Sequence, residues 1–344
     1  MPKVNIKDLL QEELTEFLLN LGDSKYRAQQ IWDWLYRKQA VSYSEMTNLP
    51  RAFREKLAQS SYISWPELRQ RQESGAAVKY LFGLVDGQTV ETVLMRYRSW
   101  NSLCLSTQVG CSMGCKFCAS TLSGKTRDLT VAEMLDQVLF VQKELNIKGE
   151  LPISRVVLMG TGEPLDNFTN VVRFLHILHD PKGLNIGYRR VTISTCGLVP
   201  GIKALARENI PVTLSVSLHA PSDRLRNKLL PINKKYPLDI LLSACHEYIE
   251  ITGRRITFEY TLIKGVNDSI EQAKVLADII QGMLCHINVI PLNPVAECGL
   301  SPSSPAQVEA FISYLKRRGI PVTERRELGQ DIDAACGQLR RRLK

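Results

Sequence analysis

The chain has 344 residues, of which 44% are hydrophobic and 23% are charged, and its net charge is +9. This length and apolar content can bury a substantial core, and we expect one large domain with a smaller one. No apolar run is long enough for a membrane span and no export segment is recognisable, so we expect a protein of the reducing cytoplasm. Nine cysteines are too few for a disulfide scaffold. The positive charge favours a polyanionic partner.

The pattern of residues 1–75 predicts a small helical domain. Apolar residues such as Leu14 and Leu18 recur at helical spacing, and a second helix is expected to begin near Asp23 or Ser24, either of which can cap it. The second helix is rich in aromatic residues, namely Trp32, Trp34 and Tyr36. Such rings can stack on RNA bases, which would make this an accessory RNA-binding domain, but on a short helix they more often form a core. We interpret them as core residues.

Residues 76–99 predict a β-hairpin that links this domain to the rest of the chain. Strand patterns run from Val78 to Leu84 and from Val90 to Met95. The dipeptide Asp86-Gly87 between them is typical of tight hairpin turns.

From residue 100 to about residue 330, apolar β-branched runs alternate with helical segments. The six strand candidates are Leu103 to Val109, Val156 to Met159, Val191 to Ser194, Val212 to Leu218, Ile256 to Ile263 and Ile287 to Leu292. A capping box, Thr130 with Glu133, marks the helix after the first strand. The predicted class is α/β, and six parallel βα units suit an open, partial (β/α)6 barrel better than a closed eight-unit one.

Three cysteines, Cys111, Cys115 and Cys118, follow the first predicted strand in a C-x-x-x-C-x-x-C run. Three thiolates leave one corner of a tetrahedral site open, and no fourth cysteine lies nearby. The spacing favours one 4Fe-4S cluster whose fourth iron binds a small chelating ligand. Zinc held with a distant residue, disulfides and three unrelated thiols are the alternatives.

Chemically capable side chains also stand at the ends of the later predicted strands. These residues are Glu163, Ser194, Ser217, His219 and Asn293. In parallel α/β folds the carboxyl ends of the strands meet at one rim, so we expect these side chains to converge with the cysteines. His176 and His179 share one helix face, but no carboxylate accompanies them and a surface or packing role is expected.

The cysteine run resembles the signature of radical S-adenosylmethionine (SAM) enzymes, in which an aromatic residue such as Phe117 precedes the last cysteine. Further segments are similar to the branch of these enzymes that methylates adenine, the dual-specificity RNA methyltransferases. They are Leu105 to Cys111, Gly160-Thr-Gly-Glu-Pro164, Ser217-Leu-His-Ala220, Pro291-Leu-Asn-Pro294 and Asp331-Ile-Asp-Ala-Ala-Cys336-Gly-Gln. The resemblance covers about residues 5–340, and the Cys336 motif is its most specific part.

The resemblance implies the cofactors and the positions that hold them. Cys111, Cys115 and Cys118 would ligate one 4Fe-4S cluster, and two SAM molecules would be used per turnover. The positions matching the SAM site of the family are Gly162, Glu163, Ser194, Ser217, Leu218, His219 and Asn293. From the residues themselves, the glycines at 160 and 162 would let the backbone approach the cofactor, and Glu163 would accept from its ammonium, unless it caps a helix before Pro164.

The resemblance also implies a reaction. Carbon 2 of adenine is electrophilic and unactivated, so a radical route is required. In the family one SAM methylates a cysteine, matched here by Cys336, and a radical from a second SAM activates that methyl group to add to the base. Glu91 matches the proton acceptor. Cys104 matches the cysteine that resolves the RNA–protein crosslink and leaves a transient disulfide. Taken singly, Cys104 is more often a packed core thiol and Glu91 a solvated charge.

The implied substrates are an adenosine of 23S ribosomal RNA and adenosines of some transfer RNAs, and the implied electron donor is a protein such as flavodoxin. We expect a monomer without a membrane partner. Residues 331–344 form a C-terminal segment with the catalytic cysteine, and residues 316–344 carry nine basic against four acidic side chains. That basic stretch is predicted to contact RNA phosphates, although a solvated chain end is the alternative.

Two other functions stay open on the sequence alone. A relative that methylates carbon 8 of the same adenine and confers antibiotic resistance uses the same cysteines and cofactor. A non-enzymatic metal-containing RNA-binding module is the second, but such a module needs no redox pair of cysteines. Gly162-Glu163-Pro164 resembles the carbon-2 branch more closely.

Overall fold

A computed structural model of the protein describes residues 3–325 and 328–340. Its N-terminal part contains three helices and one short parallel pair of strands. The helices are α1 Gln11–Asn20, α2 Tyr26–Tyr36 and α3 Arg51–Ser60, and the strands are β1 Val4–Asn5 and β2 Ser61–Tyr62. Trp32 and Tyr36 are almost fully buried, and Trp34 is half-buried, so the interpretation of this aromatic helix as core is confirmed for two of its three rings.

The predicted side-chain cap of α2 is wrong. The helix begins at Tyr26 after Lys25, and no side chain caps it. The Asp23 carboxylate instead accepts hydrogen bonds from the Ser24 amide and from the Arg27 guanidinium. The Arg27 guanidinium therefore binds the carboxylate that the sequence pattern predicted to accept from a backbone amide of the helix.

A ten-stranded sheet forms the centre of the molecule. Its strands are β3 Glu67–Ser74, β4 Ala77–Gly83, β5 Thr89–Arg96, β6 Asn101–Cys104, β9 Ile153–Leu158, β10 Val191–Thr195, β11 Thr213–Ser217, β12 Ile256–Leu262, β13 Cys285–Pro291 and β14 Val322–Glu324, and a separate antiparallel pair consists of β7 Gln108–Gly110 and β8 Lys125–Asp128. The order across the large sheet is β14-β13-β12-β11-β10-β9-β6-β5-β4-β3. Neighbours from β14 to β6 are parallel. Neighbours from β6 to β3 are antiparallel.

Helices connect the parallel strands in an alternating α/β order. They are α4 Val131–Lys148, α5 Phe168–His179, α6 Val199–Glu208, α7 Asp223–Leu229, α8 Leu238–Thr252, α9 Ile270–Ile279 and α10 Pro305–Arg317. Thr130 and Glu133 form the predicted capping box at the start of α4. The apolar faces of α4–α6 and α8–α10 share one large core with the sheet, whereas Leu229 of α7 belongs to a separate apolar cluster. The two edges of the sheet, β14 and β3, are not paired with each other, so the barrel is open as predicted.

The structure differs from the predicted strands at three places. The first predicted strand, Leu103 to Val109, is divided into β6 and β7: the Leu105 amide still donates to the Val157 carbonyl oxygen of β9, and residues 108–110 then pair with β8. The edge strand β14 was not predicted, since only Val322 of its three residues is buried. Strand β3 extends the confirmed hairpin β4–β5 to three strands. It was not predicted because its sequence is polar and lacks the apolar alternation of a strand. Charged side chains on such an edge discourage pairing with another chain.

Within the described residues, no helix combines the length and the apolar character that crossing a bilayer demands. The proposed domain limits at residues 75, 99 and 330 remain predictions.

A buried polar cluster joins the N-terminal part to the barrel. The Lys7 ammonium forms an ion pair with the carboxylate of Asp136 on α4 and also donates to the Ser64 carbonyl oxygen. The Ser64 hydroxyl donates to the second Asp136 oxygen at 2.6 Å, and the Asn5 amide donates to that hydroxyl at 2.9 Å. Each of these polar groups is buried and hydrogen-bonded, so removal of one leaves its partner buried without a hydrogen bond or counter-charge.

We expect Lys7→Met to lower the free energy of unfolding by about 3–5 kcal/mol, because the buried Asp136 carboxylate loses its cation. Urea denaturation followed by circular dichroism measures this change. Arg51→Met is the matched control, since its partner Glu55 lies on an exposed turn of α3 and that change should cost less than about 1 kcal/mol. Equal effects of the two substitutions would contradict the role given to the buried cluster.

Candidate active site

The cysteine loop, residues 111–118, lies between β7 and the short 3-10 helix Ala119–Thr121. Its Met113, Cys115 and Phe117 side chains pack on an apolar cluster that includes Leu229 of α7. The Lys116 amide donates to the Leu229 carbonyl oxygen at 2.9 Å. The loop is therefore held from outside by α7 and faces inward to the ends of the parallel strands.

One cavity lies between the cysteine loop and these strand ends, and we call it the first cavity. Its lining includes Cys111, Cys115, Cys118, Gly160, Gly162, Glu163, Ser194, Ser217, His219, Asn293 and Cys336. The empty space, counting its open mouth, is about 930 Å³. Ligand sites generally enclose roughly 300–1,000 Å³. The structure thus brings together the cysteines and the polar strand ends that the sequence analysis singled out.

Burial controls the protonation of the three cysteines. It raises the pKa of the Cys111 thiol to about 12, and it raises the pKa values of Cys115 and Cys118 as well. An apolar pocket stabilises thiolates only when a positive ion is bound to them. Three such thiols around one cavity fit the ligand set of an iron–sulfur cluster. In the described part of the chain, no three His, Cys, Asp or Glu side chains converge on a single-ion site.

Glu163 is a buried carboxylate whose hydrogen bonds come from backbone amides. One oxygen accepts from the Leu165 amide at 3.1 Å and the other from the Cys196 amide at 2.8 Å. Burial raises the pKa of this carboxyl, and the amide bonds lower it. Among the described residues, no lysine, arginine or histidine forms an ion pair with Glu163. Glu163 therefore offers the cavity a buried carboxyl group that a bound ammonium group would suit, and the Leu165 bond gives it a local capping role too.

The two glycines of this turn have a packing role in addition to the one expected. A Cβ atom at Gly160 would lie 2.7 Å from the backbone of Leu105, and one at Gly162 would lie 2.7 Å from Cβ of Gln108. Gly162 also has a φ angle of 115°, which side-chain-bearing residues rarely adopt. The glycines allow close packing of the chain on itself, and their proposed contact with the cofactor is untested.

His219 and Leu218 follow β11 in different environments. His219 has a left-handed backbone, its Nδ1 accepts from the Thr261 amide at 2.9 Å, and its ring meets Phe117 edge-on. Burial and the nearby Arg226 lower the pKa of His219 to about 3, so the imidazole is neutral. The Leu218 side chain is fully buried in the main core and does not line the first cavity. The Leu218 amide donates to the Glu259 carbonyl oxygen and its own carbonyl oxygen accepts from Arg226, so its cofactor contact stays a prediction.

A second cavity adjoins the first and contains the other two cysteines of interest. Its lining includes Val93, Met95, Tyr97, Cys104, Met159, Asn293, Arg325, Leu328, Cys336 and Leu339. Cys336 is exposed and lines both cavities, whereas Cys104 is half-buried and lines only the second. The structure thus places the two cysteines, which are distant in sequence, around one space.

The segment that carries Cys336 is bound to the 3-10 helix that follows the cysteine loop and to the rim of the barrel. The Ala119 amide donates to the Gly337 carbonyl oxygen at 2.7 Å, and the Asn293 side chain donates to the Cys336 carbonyl oxygen at 3.1 Å. The Ser120 hydroxyl donates to the Leu339 carbonyl oxygen at 2.8 Å. Asn293 therefore positions Cys336 as well as lining the first cavity.

Glu91 lies behind this segment. Its carboxylate accepts from the Arg340 amide at 2.6 Å and lies 3.3 Å from the Lys79 ammonium. It is 1% exposed, and neither cavity is lined by it. The predicted proton acceptor is thus near the Cys336 segment but covered by it.

Two arginines of the site were missed by the sequence analysis. Arg226 of α7 is fully buried and donates to the carbonyl oxygens of Cys196, Ser217 and Leu218, which ties the ends of β10 and β11 together. Arg325 lines both cavities, and the neighbouring Cys336 sulfur raises the pKa of its guanidinium. No motif surrounds either residue, so only the folded chain reveals them.

The predicted basic stretch is only partly covered by the structure, since Arg326, Arg341, Arg342 and Lys344 lie outside the described residues. Arg340 pairs with Glu297 and Asp333, and Lys316 and Arg317 are exposed on α10. RNA contact by this stretch remains a prediction. The His176 imidazole is exposed on α5 and contacts the Tyr188 hydroxyl at 3.0 Å, and His179 is half-buried, which agrees with a surface or packing role for this pair.

Comparison with known proteins gives consistent matches over the whole chain. Residues 105–276 match the radical SAM superfamily, and residues 4–63 match the ribosomal RNA large subunit methyltransferase N-terminal domain. A protein of Desulforamulus reducens described as "Probable dual-specificity RNA methyltransferase RlmN" is 52% identical over 342 residues, which cover 99% of this chain and 97% of that protein. A protein of the same description from Thermoanaerobacter sp. strain X514 is 49% identical, covering 98% of both chains.

A solved structure agrees with these matches. The crystal structure of a radical SAM methyltransferase from Sphaerobacter thermophilus superposes with a TM-score of 0.95 at 45% identity, covering 98% of this chain and 100% of that one. An open parallel barrel with three cysteines beside its strand ends, together with these matches, defines a radical SAM enzyme. The chain belongs to the RlmN family of SAM-dependent RNA methyltransferases. This membership implies a 4Fe-4S cluster and SAM as cofactors.

We expect Cys118→Ala to abolish the cluster and the activity together, because two thiolates and a buried cavity cannot replace the third ligand. Iron and acid-labile sulfide are measured after anaerobic reconstitution, and electron paramagnetic resonance is recorded with and without SAM. Cys245→Ala is the matched control, since this buried cysteine of α8 lines neither cavity. A Cys118→Ala protein with the iron content of the wild type would refute the ligand assignment.

Proposed function

We propose that the protein methylates carbon 2 of an adenosine in 23S ribosomal RNA, and of adenosines in some transfer RNAs, through a methylated cysteine. The observation that carries this proposal is the position of Cys336, which lines the first cavity with the cluster cysteines and the second cavity with Cys104. A cysteine that carries a methyl group from the cofactor to the base needs contact with both spaces. The family relatives are named for the same dual specificity.

The proposal gives each side of the first cavity a task. Cys111, Cys115 and Cys118 would hold the cluster, and Glu163 would accept from the SAM ammonium. Ser194, Ser217, His219 and Asn293 line the remaining wall with Gly162 and are the proposed contacts to the rest of SAM, together with Leu218, which precedes His219 in the chain. When bound, the cluster and two SAM molecules per turnover supply an electron, a methyl group and a hydrogen-abstracting radical.

The second cavity is the proposed site of the adenine. Cys336 would carry the methyl carbon that becomes bonded to carbon 2, and Cys104 would then attack the Cys336 sulfur to release the RNA and form a disulfide. Attack requires the Cys104 thiolate. Burial raises the pKa of Cys104 to about 12, and the Arg325 guanidinium opposes that rise. Arg325 therefore favours the reactive form of Cys104.

Glu91 is the proposed acceptor of the ring proton. Its carboxylate is buried beside Lys79 and accepts from the Arg340 amide. Access of the adenine to Glu91 requires the Arg340 backbone to move away. This movement would break the hydrogen bonds to residues 337–340 and the ion pairs of Arg340 with Glu297 and Asp333.

The proposed electron donor is an acidic protein such as flavodoxin. Exposed basic side chains stand on the outer surface beside the cysteine loop, namely Lys116, Arg224, Lys228, Lys234 and Lys235. Complementary charge would steer an acidic donor to the side of the molecule nearest the cluster. We further propose that the protein acts as a monomer in the cytoplasm.

Locating the methyl group tests the regiochemistry. The reconstituted enzyme is incubated with SAM, a reductant and a 23S ribosomal RNA fragment, and the digested nucleosides are compared by mass spectrometry with 2-methyladenosine and 8-methyladenosine. We expect 2-methyladenosine. The appearance of 8-methyladenosine would replace the proposal by the carbon-8 activity, and the absence of any methylated adenosine from several RNA substrates would reject it.

We expect Cys104→Ala to trap the enzyme on its RNA, because nothing then attacks the Cys336 sulfur to release the crosslink. A species that is retarded on a denaturing gel and sensitive to ribonuclease should accumulate with the stoichiometry of the enzyme. Cys285→Ala, which removes a buried cysteine of β13 outside both cavities, should turn over normally. Normal turnover by Cys104→Ala would eliminate the resolving role.

A further inference from the structure

The turn between β5 and β6 places two aromatic rings at the edge of the second cavity. The Tyr97 amide donates to the Trp100 carbonyl oxygen at 2.9 Å, which closes the turn and leaves Arg98 and Ser99 exposed at its tip. The Tyr97 and Trp100 rings are stacked, with centroids 3.8 Å apart and planes inclined by 14°. Tyr97 also lines the second cavity with Cys104 and Cys336.

An arginine of β9 extends this stack. The Arg155 guanidinium carbon lies 4.4 Å from the centroid of the Trp100 ring. A guanidinium cannot fit between rings that are 3.8 Å apart, so Arg155 covers the face of Trp100 opposite Tyr97. The order is therefore Arg155, Trp100, Tyr97. Among the described residues, no other aromatic ring or cation stacks on the second face of Tyr97, and Tyr97 is one of the residues that line the second cavity.

The surroundings of the Tyr97 ring suit a nucleobase. Val93, Met95 and Leu339 provide apolar walls to the same cavity, and the Arg325 guanidinium supplies hydrogen-bond donors. Arg98 and Arg155 are exposed nearby, where they can meet phosphate oxygens. A flat ring with acceptor nitrogens in an otherwise apolar space, attached to an anionic backbone, matches these features.

We propose that the face of Tyr97 opposite Trp100 is turned to the second cavity, stacks on the adenine that is to be methylated and holds it beside Cys104 and Cys336. This inference rests on the proposed function, because it takes the second cavity as the site of the adenine. Trp100 and Arg155 support Tyr97 from behind and fix the plane of its ring. Stacking tolerates any base, so Tyr97 contributes affinity and orientation, while recognition of adenine belongs to other groups.

The test measures binding of a fluorescein-labelled RNA hairpin to the reconstituted enzyme by fluorescence anisotropy. One hairpin carries the substrate adenosine and a second carries an abasic nucleotide in its place. We expect Tyr97→Leu to weaken binding of the first hairpin roughly 5- to 100-fold, which is the loss of affinity typical when one aromatic side chain that stacks on a base is removed. Tyr97→Phe keeps the ring and should bind within about twofold of the wild type. The abasic hairpin should bind Tyr97→Leu and the wild type equally well.

Tyr314→Leu is the matched control. Tyr314 is a half-buried tyrosine of α10 with the Arg317 guanidinium 5.8 Å from its ring, and it lines neither cavity. Its replacement should change the binding of neither hairpin. Iron content and SAM binding are measured in parallel, and Tyr97→Leu should leave both unchanged, because Tyr97 does not line the first cavity. Should Tyr97→Leu fail to fold, Trp100→Leu takes its place, with a smaller loss confined to the adenosine hairpin.

Two results would overturn the stacking contact. Either Tyr97→Leu binds the adenosine hairpin as tightly as the wild type does, or it loses affinity equally for the abasic hairpin. Methylation of the hairpin by the wild type is recorded in the same preparations. Methylation together with either result rejects the role of Tyr97 and leaves the proposed function standing, whereas a wild type that binds but does not methylate the hairpin rejects the function itself.

Discussion

Main-chain hydrogen bonds between the chain after β6 and the chain after β9 hold the candidate active site together. The Gly160 amide donates to the Leu105 carbonyl oxygen at 3.1 Å, and the Thr107 and Gln108 amides donate to the Thr161 carbonyl oxygen. The contact is so close that a side chain at residue 160 would collide with the Leu105 backbone. The cysteine loop begins three residues after Gln108, so this contact sets its position relative to Glu163.

The charges of the first cavity complement a cationic cofactor. Glu163 is held by two backbone amides, and burial raises the pKa values of Cys111, Cys115 and Cys118. Charged groups in such a place are stable only when a partner of opposite sign binds. Iron would supply that charge to the thiolates, and an ammonium group would supply it to the carboxylate. Desolvation disfavours the charged forms of the cysteines and of Glu163 in the empty site. The same desolvation would strengthen the binding of iron and of an ammonium group.

The C-terminal segment connects the two cavities. Hydrogen bonds from Ala119 and Ser120 attach it to the 3-10 helix that follows the cysteine loop, and a hydrogen bond from Asn293 attaches it to the rim of the barrel. Its Cys336 stands between the cofactor side and the proposed adenine side, and it covers Glu91. One short segment thus borders both cavities and Glu91. On the other side of the barrel, the buried Lys7–Asp136 pair joins the N-terminal helices to α4, the helix that follows the cysteine loop and β8.

The sequence by itself determined the class of fold and most of the first cavity. Alternating strand and helix patterns have a fixed period, and parallel strands end at one rim, so Cys111, Ser194 and Ser217 were predicted to converge from local signals alone. Short or polar elements carried too little apolar signal, and β3 and β14 were missed for that reason. The cap of α2 failed because the competing Arg27 contact is made by a side chain that no capping pattern includes.

Only the tertiary structure decided which distant residues meet. Cys104 and Cys336 are separated by most of the chain, and their shared cavity depends on how the C-terminal segment folds back over the sheet. Arg226 and Arg325 have no motif, and the stack of Arg155, Trp100 and Tyr97 joins a turn to a strand about fifty residues later. Such contacts depend on packing between elements, and sequence periodicity encodes only the face that each element buries.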